Sequence, residues 1–127
     1  MKIFVSALAL LAAGATAGSA EISNNSVKIG VLTDQSGVFS SLAGTGSVVA
    51  AEMAIADFGD RLGKIELVSA DHQNKADIGT QIARRWYDVE GVDLIVDVPN
   101  SSVVLAVQEL AREKDKLLIV SGAGTAS

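Results

Sequence analysis

Three segments carry most of the side chains able to do chemistry, and none carries a metal-ligand or nucleophile pattern. They are Thr33 to Gly46, Pro99 to Ser102, and Ser121 to Ala126. All three offer hydroxyls, amides and backbone N–H groups, and Asp34 is the only fixed charge among them. Serine, asparagine and glycine also cap helices and turn the chain, so one such segment means little. Three at the same edge of a sheet would make a binding site. Its chemistry would be hydrogen bonding to a small polar or anionic group, helped by the partial positive charge of helix N-termini.

Spacing excludes the common catalytic alternatives. Gly44-Thr45-Gly46 runs on into Ser47-Val48-Val49, so there is no G-x-G-x-x-G dinucleotide fingerprint, and no phosphate-binding G-x-x-x-x-G-K-[ST] exists. There is no G-x-S-x-G elbow to set up a serine nucleophile. His72 is the single histidine and cysteine is absent, which is poor material for a metal site. Within Asp71-His72-Gln73-Asn74-Lys75 it is expected on a loop surface. No enzyme activity, cofactor or metal is implied.

The elements that must position these segments follow from hydrophobic period. Val27 to Thr33 is a buried strand between Asn24-Asn25 and Asp34-Gln35-Ser36-Gly37. Val48, Ala51, Ile55 and Phe58 give Ser47 to Phe58 a helical stripe. Ile65 to Ala70 is a second strand. Asp77 is the expected cap of a second helix, with Ile78, Ile82 and Trp86 on one stripe, so Trp86 is expected in packing rather than ligand stacking. Val92 to Val98 is a third strand. Its Asp97, near the carboxyl end, is expected to bond a neighbouring loop. Ser101 or Ser102 caps a third helix facing the sheet through Val104, Val107 and Leu110, and Leu117 to Val120 is a fourth strand. Such alternation predicts an α/β fold with a doubly wound parallel sheet, in which ligands sit beyond the carboxyl ends of the strands.

Composition says where this sheet works. Lys2, the apolar run Ile3 to Ala13 and the small residues Gly14 to Ala20 follow the order of a secretory signal peptide. The run is too short to span a bilayer. Ala15-Thr16-Ala17 and Gly18-Ser19-Ala20 are competing cleavage sites; cleavage after Ala20 is preferred because Glu21 opens a polar lead-in. Residues 1–20 are thus read as a signal peptide and the protein as periplasmic. Ten Lys and Arg against fifteen Asp and Glu give −5, and loss of Lys2 makes it −6. That balance argues against nucleic acid as a partner. The chain stops just past an apolar strand, so residues 21–127 are read as the front portion of a longer protein.

From Val27 onward the sequence resembles the type I periplasmic binding proteins of ABC importers, in the branch typified by the leucine/isoleucine/valine-binding protein. The resemblance rests on Val27-Lys-Ile-Gly-Val-Leu-Thr-Asp-x-Ser-Gly37, Gly46-Ser-Val-Val-Ala-Ala-Glu-Met-Ala-Ile-Ala-Asp57, Asp97-Val-Pro-Asn-Ser-Ser102 and Ser121-Gly-Ala-Gly-Thr125, in that order. It implies the first part of the N-terminal lobe of a two-lobed receptor, without the second lobe. It implies a small carboxylate-bearing ligand, such as a branched-chain amino acid, and an ABC permease as partner. The ligand carboxylate would be held by Asn100 and Ser101 after the third strand and by Ala123 and Thr125 after the fourth. Ser36 and Leu42 would line the cleft. Asn100 stands where amino-acid binders commonly have Ser, Val38 where Pro is common, and Leu42 where an aromatic residue is frequent. Amides, urea and aromatic acids therefore stay open as ligands. A ligand-sensing domain of an extracellular receptor is the alternative function.

The export reading has a direct check. Mass spectrometry of periplasmic material should find a mature N-terminus at Glu21, and retained Met1-Lys2 would contradict it.

Overall fold

A computed structural model describes residues 26–125. Residues 1–25, on which the signal-peptide reading falls, and the last two residues lie outside the described residues. The order is β1 (Ser26–Thr33), α1 (Gly44–Phe58), β2 (Lys64–Asp71), α2 (Ala76–Arg85), β3 (Leu94–Asp97), α3 (Ser101–Glu113) and β4 (Leu117–Val120). The four strands are parallel in the order β2-β1-β3-β4, with Ile29 paired to Leu67 of β2 and Leu94 of β3. β1 lies inside the sheet, and its carboxyl half is fully buried, as its apolar run requires.

Side chains alternate across the strands, and the two faces are treated differently. Leu32 and Ile95 point into the main core with Ala83, Trp86, Val103, Val104, Val107 and Leu110. That face is therefore covered by α2 and α3. On the other face α1 brings Ala51, Ala54, Ile55 and Phe58 over Ile29 and Ile65, around an apolar cavity of about 230 Å³. Helices on both faces are the doubly wound arrangement expected from the sequence. The cover is uneven among the described residues, because α1 lies over β1 and β2 whereas Leu117 and Ile119 of β4 are 67% and 56% exposed.

Two helix caps differ from the sequence expectation by a residue or two. α2 starts at Ala76 with Lys75 in the cap position, so Asp77 lies inside the first turn, where its charge suits the helix dipole without capping it. α3 is capped by Asn100, whose side chain accepts from the Val103 N–H at 3.0 Å; Ser101 is the first helical residue and Ser102 the second. After Arg85 the chain widens into a π-helical turn, Trp86–Glu90, closed by Gly91 at φ 68°. That turn places Trp86 in the core against Gly30 of β1, in the packing role expected of it. Tyr87 beside it is also buried, its hydroxyl donates to the Leu117 carbonyl at 3.0 Å, and burial pushes its pKa up to about 12. Among the described residues no helix is long and apolar enough to cross a membrane.

Gly30 is what lets Trp86 sit so close. A Cβ there would lie 2.5 Å and 2.6 Å from two carbons of the indole ring. Gly30→Ala should therefore destabilise the full-length protein by about 1–3 kcal/mol through overpacking. Urea denaturation measures it; an unchanged midpoint would mean that the indole has room to move.

Candidate functional site

Four loops emerge at the carboxyl edge of the sheet, and each is held by an Asp or Asn side chain. After β1, Asp34 is fully buried, and its two oxygens accept from the N–H groups of Gly37 at 2.8 Å and Phe39 at 3.0 Å. This folds Gly37 back against the carboxyl group, where a Cβ would meet an oxygen at 2.5 Å, so only glycine fits. Thr33 Oγ1 accepts from the Gly44 N–H at 3.0 Å and ties the far end of the loop to β1. Asp34, the only fixed charge in the three segments, thus serves the loop itself.

After β2, Asp71 accepts from the Gln35 N–H at 3.0 Å, the Gln73 N–H at 2.7 Å and Ser36 Oγ at 2.6 Å. Burial opposes ionisation of Asp71, but the bonds from Ser36, Gln73 and Gln35 outweigh it and hold the pKa below the usual value. The same loop contains the clearest departure from the sequence expectation. His72 is not on a loop surface: it is fully buried. A Cβ on Gly79 of α2 would come within 3.5 Å of the His72 Cβ, so the loop packs under that helix. His72 Nδ1 accepts from the Asn74 N–H at 3.0 Å, and Nε2 has no partner among the described residues. Burial lowers its pKa, against the raising influence of Asp34, Asp71 and Asp97.

After β3, Asp97 and Val98 stand at φ 83° and 51°, a left-handed conformation that a β-branched residue rarely adopts. Asp97 is buried, with Oδ1 accepting from Ser121 Oγ at 2.6 Å and Oδ2 unpartnered among the described residues. The expected bond from Asp97 to a neighbouring loop is therefore present. The Ser121 N–H also donates to the Asp97 carbonyl at 3.2 Å, and a Cβ on Gly122 would touch Pro99 at 3.7 Å. The loops after β3 and β4 are thus stitched side by side.

The six residues singled out from the sequence fall in three places. Asn100 and Ser101 sit half-buried at the start of α3. Ala123 packs against the core and Thr125 is exposed, both on the adjoining loop after β4. Ser36 is exposed and bound to Asp71, on the β1–β2 side. Leu42 is 82% exposed and joins none of these contacts. The structure therefore brings Asn100, Ser101, Ala123 and Thr125 onto adjoining loops, and sets Ser36 and Leu42 on another. The loop after β2 was missed. Asn74 Oδ1 accepts a hydrogen bond from Asn100 Nδ2, which links that loop to the start of α3. The signal was available, since Asp71-His72-Gln73-Asn74 must leave the sheet at the same edge as the other polar loops. Among the described residues no group of three or more His, Cys, Asp or Glu side chains could hold a metal ion.

Comparison with known proteins gives this geometry its context. The family model described as periplasmic binding protein matches residues 26–127. A crystal structure of a periplasmic binding protein from Burkholderia mallei is 48% identical, with a TM-score of 0.75 over 79% of this chain and 27% of that one. A branched chain amino acid ABC transporter periplasmic ligand-binding protein from Burkholderia xenovorans is 46% identical, with a TM-score of 0.74 over 78% and 27%. A solute binding protein of an ABC transporter from Rhodopseudomonas palustris, in complex with 3,4-dihydroxybenzoic acid, is 26% identical, with a TM-score of 0.70 over 80% and 28%. The chain thus spans about 27% of the length of the first two solved relatives. No curated protein matches it.

Asp34 offers the sharpest test of this architecture. Asp34→Ala leaves the N–H groups of Gly37 and Phe39 without acceptors, at about 1–3 kcal/mol for each. The full-length variant should lose stability in chemical denaturation and become protease-sensitive between Gly37 and Gly44. Asp34→Asn, which keeps one acceptor oxygen, should lose less.

Proposed function

The chain belongs to the periplasmic binding protein family, and we propose on that premise that it is the first part of a solute receptor's N-terminal lobe. The receptor captures a small carboxylate-bearing ligand, such as a branched-chain amino acid, outside the cytoplasm and delivers it to an ABC permease. It does so without chemistry on the ligand. Residues 1–20 direct export and are removed, and residues 21–127 contribute to one wall of the cleft.

The observation that carries this reading is the pairing of the loops after β3 and β4. Two bonds between Ser121 and Asp97 bring Asn100, Ser101, Ala123 and Thr125 to neighbouring strand ends. A carboxylate leaving water needs several donors at once. Backbone N–H groups at the start of α3, the Ser101 hydroxyl and the Thr125 hydroxyl are of that kind, and the helix dipole has the right sign. Ser36 and Leu42, on the loop after β1, line the cleft away from the carboxylate.

A second ligand class has its own support. One relative carries an aromatic acid, 3,4-dihydroxybenzoic acid, and it shares with amino acids only the carboxylate. The proposed donors read that shared group, so both classes fit this wall.

Thr125→Val keeps the shape of the side chain and removes one donor. In the full-length protein it should weaken binding of leucine or 3,4-dihydroxybenzoate, whichever the wild type takes, by about 10- to 100-fold. Stability should hardly change, because Thr125 is exposed. Isothermal calorimetry decides it, and an unaltered affinity would remove Thr125 from the site.

A further inference from the structure

His72 is built into the fold more tightly than a loop histidine needs to be. Its N–H donates to the Thr33 carbonyl at 2.9 Å, and its carbonyl accepts from the Lys75 N–H at 2.9 Å. With Nδ1 accepting from the Asn74 N–H, the neutral ring carries its proton on Nε2. Gln73 and Asn74 stand at φ 52° and 58°, left-handed positions that asparagine adopts readily and glutamine less so. The bend they make presents Asn74 Oδ1 to Asn100 Nδ2. Asn100 Oδ1 in turn accepts from the Val103 N–H at 3.0 Å and from Ser102 Oγ at 2.6 Å.

These bonds form one chain, from a buried ring under α2 to the first turn of α3. We infer that His72 is a positioning residue for the ligand site, fixing Asn100 and the start of α3 through Asn74. The inference rests on the solute-receptor reading, because it assigns a role in ligand affinity. It also makes the site sensitive to acid. An imidazolium has two donors and no acceptor, so a proton on Nδ1 would oppose the Asn74 N–H and release Asn74 from Asn100. The charged groups facing the ring are Asp34 beyond β1, Asp71 at the end of β2 and Asp97 at the end of β3. From the helices above, Gly79 of α2 lies over the His72 Cβ and Val103 of α3 packs against Gly79. Burial outweighs the three carboxyl groups and lowers the pKa from histidine's ordinary value. The ring is therefore neutral at pH 7, and the chain of bonds is intact there and lost as pH falls through the lowered pKa.

The test uses the full-length protein and two readouts. The first is hydrogen exchange of the Val103 N–H, with the Asn100 side-chain amide resonance, in the ligand-free protein. The second is calorimetry with leucine and 3,4-dihydroxybenzoate over a falling pH series that starts at about pH 7.5 and runs well below histidine's ordinary pKa, because burial lowers the value in the folded protein. His72→Ala should speed Val103 exchange and weaken the probe that binds by about 10-fold, the effect of one lost hydrogen bond. His72→Asn places an oxygen where Nδ1 stood and cannot gain a proton. It should restore both readouts near neutral pH and abolish the wild type's loss of affinity as pH falls. Asn74→Gly tolerates the left-handed backbone and removes only the Oδ1 acceptor, so it should reproduce the affinity loss even if His72→Ala fails to fold. Wild-type exchange and affinity in Asn74→Gly, or a His72→Asn protein as acid-sensitive as the wild type, would overturn the inference. Should the wild type bind neither probe, the ligand reading falls, while the exchange data still decide whether His72 holds Asn100.

Discussion

A parallel sheet delivers every strand's carboxyl end to one edge, and the backbone groups that leave the ladder there must find new partners. This requirement shapes the whole upper surface of the protein. Short side chains ending in oxygen meet it. Asp34 takes two N–H groups of its own loop, Asp71 takes one from the neighbouring loop and one from its own, and Asn100 takes one from the helix it starts. Asp97 does the same for a side chain, accepting from Ser121 Oγ. Asp and Asn suit this work because their oxygen reaches a backbone N–H two or three residues on without straining χ1. The loops are consequently cross-braced from strand to strand, which keeps them in place without regular structure.

The layer below sets the height of those loops. Gly30 lets the Trp86 ring rest on β1, and Gly79 lets Val103 approach α2, where a Cβ would meet its methyl at 2.5 Å. Close approach of this kind pins α2 and α3 to one face of the sheet and to each other. The start of α3, with Asn100 and Ser101, is therefore positioned by packing some distance below it. On the opposite face α1 is anchored at its first residue through Thr33 and Gly44, directly beside the buried Asp34. Polar bracing above and glycine-permitted packing below thus fix the same strand ends.

Much of this was legible in the sequence, and the failures share a cause. Hydrophobic period located all four strands and three helices, because burial repeats every two or 3.6 residues. The polar composition of the loops after β1, β3 and β4 marked the edge where ligand chemistry is expected. Cap positions were misread by one or two residues, at Asp77 and at Ser101 or Ser102. At α2 the cap position, Lys75, makes no side-chain cap bond, whereas at α3 Asn100, Ser101 and Ser102 are all good caps and the choice falls to a tertiary contact. For α3 the decisive contact is with Asn74, 26 residues earlier, which holds the other end of the Asn100 amide. His72 was misread for a similar reason. A polar run looks like a surface loop, and nothing local reports that α2 folds over it.

The departure at Asn100 takes on a different meaning in this light. On the proposed reading, the family's usual serine offers a hydroxyl free to rotate toward a ligand. Asn100 has two acceptor lone pairs and two amide hydrogens. Both acceptor positions are engaged by Val103 and Ser102, and one hydrogen goes to Asn74. One amide hydrogen is left uncommitted among the described residues, and its direction is set by the other three bonds. A donor fixed in this way loses less freedom on binding than a rotating hydroxyl, which favours a ligand whose acceptor arrives from one direction. A planar carboxylate seated against the start of α3 meets that condition whether an alkyl chain or a ring lies behind it. On the proposed reading the first lobe selects the shared acid group, and discrimination between the ligand classes falls to surfaces farther from Asn100.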